Sequence, residues 1–182
     1  MSDQKPHRLP PAVTPERYEI RLTPDLSAAR FDGEEKIVLQ VHEPVQKIRL
    51  NAAELVFGAV SMQQSGGAVL PGSVALDGDN EQAELDFHQT LAPGCWELRI
   101  SFSGVLNDKL HGFYRSTYKD NDGQEKPLAS TQFESTDARR AFPCWDEPAF
   151  KAVFQPTLVV DQGLTAISNT RIVRETAVPG TA

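Results

Sequence analysis

Side chains able to bind or react concentrate in one stretch, Lys126 to Lys151, which reads KPLASTQFESTDARRAFPCWDEPAFK. Gln132 and Glu134 stand two residues apart. On an extended strand, that spacing turns both side chains to one side. Asp137, Arg139, Arg140, Asp146 and Glu147 follow within thirteen residues of Glu134. Guanidinium groups hold carboxylates through parallel hydrogen bonds, so these five charges read as a scaffold that fixes a loop. Taken by pattern alone, Glu134 is a surface carboxylate available to pair with Arg139 or Arg140. Cys144 has no histidine near it in sequence, which argues for a buried thiol over a nucleophile.

The local structure expected for this stretch is a strand over 128–133 followed by a compact loop. Ser135, Thr136 and Asp137 offer capping oxygens, and Ala138 to Ala141 fit one helical turn. Pro143 and Pro148 prevent a longer helix, since each lacks an amide hydrogen and restricts the residue before it. Phe142, Trp145 and Phe150 are the expected apolar anchors.

The rest of the chain alternates polar and apolar residues between turn signals, the mark of half-buried strands. Tyr18, Ile20 and Leu22 share one face of a strand over 17–22; Ile37, Leu39 and Val41 share one over 31–41. A third strand runs over 45–50, with Val45 out of phase with Ile48 and Leu50, and a fourth over 55–62. Runs at 74–76 and 82–87 flank Asp77-Gly78-Asp79-Asn80, a hairpin signal. Trp96, Leu98, Ile100 and Phe102 give the cleanest alternation, and 119–125 reads as the tip of a further hairpin. Strands are also expected over 152–160, at an edge or bulge because of Pro156, and over 164–174. Many short strands without a credible long helix predict an all-β sandwich of packed, curved sheets.

Composition bounds the partners. The chain has 182 residues, 40% of them hydrophobic, a net charge of −7 and a pI near 5.1. This length can bury one domain core. The acidic balance disfavours nucleic acid, and no apolar run is long enough to span a bilayer as a helix. The polar first residues hold no apolar signal core, so the expected location is cytoplasmic, with no membrane partner. Cys95 and Cys144 are expected to be free thiols, buried or half-buried.

Thr131-Gln132-Phe133-Glu134, Thr136-Asp137-Ala138-Arg139-Arg140-Ala141-Phe142-Pro143-Cys144-Trp145-Asp146-Glu147-Pro148 and Lys151-Ala152 together resemble the N-terminal domain of the zinc aminopeptidases of the aminopeptidase N and puromycin-sensitive aminopeptidase type. Asp108-Lys109-Leu110, Gly112-Phe113-Tyr114-Arg115-Ser116 and Ala166-Ile167-Ser168-Asn169 extend the resemblance over nearly the whole chain. It implies a saddle-like domain of curved, mainly antiparallel sheets, with one short helical turn near 137–141, leaning on a catalytic domain. It also implies that Glu134 helps bind the free N-terminus of a peptide substrate and that Gln132 lines the pocket for its first side chain. The family's zinc site needs H-E-x-x-H on a helix. The four histidines, at 7, 42, 88 and 111, do not supply it. The nearest match, His42-Glu43-Pro44-Val45-Gln46, lacks the second histidine and carries a helix-breaking proline.

The resemblance therefore implies no metal and no catalytic residue in this chain, with zinc and hydrolysis belonging to the catalytic domain as partner. Residues 1–16 are expected to form a flexible arm, and 17–182 the N-terminal β domain. That domain is expected to be cut before its last strands, since Pro179-Gly180 turns without a return strand. The alternative reading is a non-enzymatic β-sandwich that binds peptides or partners.

Overall fold

The computed structural model describes residues 8–178. Among the described residues, ten strands and one short helical turn form, and the alternating pattern accounts for most of them. In chain order these are β1 (Val13–Asp25), β2 (Arg30–Val41), β3 (Val45–Asn51), β4 (Leu55–Gln64), β5 (Val69–Asp77), β6 (Gln82–Leu91), β7 (Gly94–Val105), β8 (Gly112–Lys119), β9 (Glu125–Gln132) and β10 (Val153–Leu158). A 3-10 turn occupies Ala138–Arg140.

Eight strands make one strongly curled sheet in the order β10-β1-β2-β7-β4-β5-β6-β3, and β8 and β9 make a separate hairpin. All pairings are antiparallel except β1 with β10. The fold is therefore all-β and half-barrel in form. β5 carries the curl: residues 69–72 pair with β4, and residues 73–77 pair with β6. The bend falls at Pro71-Gly72. A Cβ on Gly72 would lie 2.7 Å from the Phe87 ring, so only glycine lets that ring close over the bend.

The inner face is one continuous hydrophobic cluster. Ile37 and Leu39 of β2 lie beside Leu98 and Trp96 of β7, and Val41, Ile100, Ile48, Leu50, Leu85 and Phe87 belong to the same buried cluster. Strict alternation keeps these residues inside and Lys36, Arg99 and Glu97 outside. The out-of-phase Val45 has its cause in a register shift between Val45 and Lys47, where β3 bulges against β6.

The sequence expectations need correction at three points outside the loop. No strand forms over 164–174. After Val159 donates its amide hydrogen to Leu22 O, a turn closes from Leu164 N to Asp161 O, and the chain leaves the sheet. Ile167 and Val173 are then 84% and 88% exposed. An apolar pattern makes a strand only where a ladder partner exists. Cys95 is exposed rather than buried, because it occupies the outward phase of β7 between Gly94 and Trp96; both cysteines are free. Of the expected arm over 1–16, residues 1–7 lie outside the described residues. Leu9, Ala12 and Val13 are buried, and β1 begins at Val13. Pro179-Gly180 also lies outside the described residues. Among those described, no helix is long and apolar enough to cross a membrane.

Candidate functional site

β9 ends at Gln132, and the chain then turns into a loop whose Cys144 pairs with Asn51 at the end of β3. Gln132 and Glu134 are exposed, and Phe133 between them packs inward against Phe142, ring centroids 5.8 Å apart at 81°. The inward phenylalanine sets the outward direction of its two neighbours. The peptide between Glu134 and Ser135 is cis. Asp137 N then donates to Phe133 O at 2.9 Å, closing the turn that carries Glu134.

Asp137 does not cap the 3-10 turn with its side chain. Its carboxylate is taken elsewhere: Arg140 Nε donates to Oδ1 at 2.9 Å, and His111 Nδ1 lies 3.2 Å from the same oxygen. Burial works to raise the Asp137 pKa, but the bonds from Arg140 and His111 outweigh it and hold the carboxyl below its usual range. Arg140 also donates to Glu54 Oε1 at 2.7 Å and to Glu81 Oε1 at 2.5 Å. Arg139, its side chain only 11% exposed, donates from Nε to Asp146 Oδ2 at 2.9 Å and from Nη1 to Glu81 Oε2 at 3.2 Å. Two guanidinium groups thus bind four carboxylates, and Glu81 bridges both.

Backbone and core contacts complete the brace. Asn51 and Cys144 exchange both backbone hydrogen bonds, at 2.7 and 3.0 Å, and Asp146 N donates to the buried Asn51 Oδ1. Trp145 N donates to the Tyr18 hydroxyl at 3.1 Å. Glu147 turns away from the loop and holds the N-terminal segment, accepting from Arg8 Nη1 and Leu9 N, both at 2.7 Å. Burial pushes the Cys144 thiol well above its usual pKa, so it carries no thiolate for nucleophilic chemistry.

Glu134 stands apart from this network. Among the described residues it accepts no hydrogen bond and forms no ion pair, and both arginines that could have paired with it are occupied. Gln132 likewise has no side-chain partner there. Glu54, Glu81, His111 and Asn51 were not singled out by sequence reasoning, and Tyr18 was read as a strand residue without its bond to the loop. They come from turns and strands 26 to 127 residues away from the groups they contact. The only local signal is Glu54 and Glu81 placed in turns, where each adopts a positive φ of 59° and 51°.

Gly112 is the tightest approach in the site. Its φ is +66°, and a Cβ there would lie 2.7 Å from Arg140 Cβ. Gly112→Ala should lower the stability of the chain by about 1–2 kcal/mol through the left-handed backbone alone, with more from displacing Arg140. Urea unfolding midpoints measure the loss; a midpoint equal to wild type would mean that the β8 contact does not set the loop.

Among the described residues, no group of three His, Cys, Asp or Glu side chains gathers to hold a metal. His42 follows the end of β2 directly, its Nε2 2.9 Å from Thr14 Oγ1.

The chain is thus a curled β domain whose loop is braced by paired charges and leaves Gln132 and Glu134 exposed. Residues 14–180 match the family model described as the peptidase M1 N-terminal domain, and the chain belongs to that family. It is 47% identical over 169 residues to aminopeptidase M1-C of Oryza sativa subsp. japonica, covering 93% of this chain and 19% of that protein. It is 46% identical to aminopeptidase M1 of Arabidopsis thaliana (92% and 20%) and 43% identical to the puromycin-sensitive aminopeptidase of Caenorhabditis elegans (93% and 18%). The chain spans about a fifth of the length of these relatives.

Proposed function

We propose that this domain serves a zinc-dependent aminopeptidase by presenting Glu134 to the free α-amine of a peptide substrate and Gln132 to its first side chain. The observation that carries the reading is the isolation of Glu134. In a loop where the neighbouring charges are paired, one exposed carboxylate is left over and held in place. An α-ammonium is its natural counter-ion, since that amine has a pKa near 8 and is cationic over much of the physiological range. A carboxylate at a fixed distance from the scissile bond then acts as a ruler, selecting peptides by their first residue. The catalytic domain, with zinc and the groups that attack the peptide bond, is the partner of this one in such an enzyme, and no hydrolytic step is assigned to residues here.

The test compares a short peptide bearing a free amine with its N-acetylated twin, titrated calorimetrically into the 182-residue chain. A charge-assisted hydrogen bond contributes roughly 1.5–3 kcal/mol, so the free amine should bind about 10- to 100-fold tighter. Glu134→Gln should erase that preference without changing the unfolding midpoint. Equal behaviour of the two peptides contradicts the reading.

A further inference from the structure

β2 alternates inward and outward without interruption, and the inward set is Phe31, Gly33, Glu35, Ile37, Leu39 and Val41. One of these is a carboxylic acid. Glu35 is 4% exposed, and neither of its side-chain oxygens has a hydrogen-bond partner among the described residues. Ile20 of β1 and Ile100 of β7 lie directly opposite it in the ladders, so neither cross-strand partner offers a cation or a donor. On its own strand the inward neighbours are Gly33 and Ile37. The polar groups within electrostatic range are the Tyr18 hydroxyl of β1 and the Cys144 thiol of the braced loop. Beyond them lie Asp146 and Arg139, which neutralise each other at 2.9 Å.

An ionised carboxylate cannot rest in such a place, because burial without a partner disfavours the charged form strongly. Burial also keeps Tyr18 and Cys144 neutral, so neither repels nor compensates a charge on Glu35 near neutral pH. We propose that Glu35 is a proton switch inside this domain: it folds as the neutral acid, and its ionisation loosens the core beneath residues 143–146. This role is independent of the amine-site reading and adds to it a way for pH to act on the loop from below.

The direction follows from linkage. Burial raises the Glu35 carboxyl well above its usual range, while the unfolded chain ionises it near pH 4.3. The folded state therefore holds a proton that the unfolded state has lost, and stability falls as pH rises between those two values. Over that window each pH unit lowers the folding equilibrium constant by about tenfold.

The test is urea unfolding of the 182-residue chain and its Glu35→Gln variant at pH 5, 6, 7 and 8. The ratio of wild-type to variant folding constants should fall by up to tenfold per unit over the window. Histidines and the other carboxylates titrate alike in both proteins and cancel. Infrared difference spectra at pH 7 should show a protonated carboxylic-acid carbonyl band in the wild type that the variant lacks. If Glu35→Gln does not fold, Glu35→Leu replaces it in both measurements, as an apolar side chain of similar size. A pH-independent ratio, or no acid carbonyl band at pH 7, overturns the proposal.

Discussion

Arg139→Met should destabilise the domain by about 3–5 kcal/mol, because it leaves the largely buried Asp146 carboxylate without its cation and takes from Glu81 one of its two. Arg139 and Asp146 are 11% and 13% exposed at their side chains, and Glu81 is 33% exposed. The loss reflects the stranded charges more than the worth of the pairs themselves. Arg139→Lys should recover only part of it, since one ammonium cannot reproduce a fork that donates from Nε, Nη1 and Nη2 to Asp146 and Glu81. Arg140→Met should cost less, because Glu54 is already 54% exposed and rehydrates readily, while Glu81 keeps Arg139 and Asp137 keeps His111. Urea unfolding of the three variants gives the ranking. If Arg139→Met unfolds at the wild-type midpoint, the paired charges do not hold the loop.

Tyr18→Ala should be comparably damaging, by about 3–5 kcal/mol, the range for deleting a large buried aromatic side chain. Tyr18 is 1% exposed and joins three parts of the molecule. Its ring stacks on Phe154 of β10 with centroids 4.7 Å apart and 4° between planes, and meets Phe142 of the loop edge-on at 6.3 Å. Its hydroxyl accepts the Trp145 amide hydrogen. Tyr18→Phe separates these roles: the ring remains and one buried N–H loses its acceptor, at a cost of about 1–3 kcal/mol. Thermal or urea unfolding distinguishes the two variants. If Tyr18→Phe costs as much as Tyr18→Ala, the hydrogen bond and not the stacking carries the connection.

Tyr18 also illustrates what a sequence discloses and what it withholds. Its burial was legible, because Tyr18, Ile20 and Leu22 keep one phase through β1. The bulge in β3 was legible in the misplaced phase of Val45, and the β5–β6 hairpin in Asp77-Gly78. The bond from Trp145 to Tyr18 was not legible, since contacts across 127 residues leave no periodic trace. The same holds for Glu54 and Glu81. Each looks like an ordinary polar turn residue, and only the curl of the sheet brings both turns to the two arginines. The expected strand over 164–174 failed for the converse reason. Alternation reports which side chains prefer burial, and a strand also needs a neighbour to bond.

Glu35 is the position where local pattern and residue type disagree. The period of β2 demands an apolar side chain there, and the sequence supplies an acid. Gln132 and Glu134 stood out by type and spacing, yet their isolation from every neighbouring cation became visible only once the partners of Arg139 and Arg140 were known.

Under the proposed role, a peptide's free N-terminus meets Glu134. The most direct measurement is a two-dimensional amide NMR titration of the 182-residue chain with a free-amine peptide. Shift changes should centre on Gln132 to Ser135, be lost in Glu134→Gln and be absent with the acetylated peptide. Shift changes centred elsewhere, or unchanged by acetylation, would contradict that role.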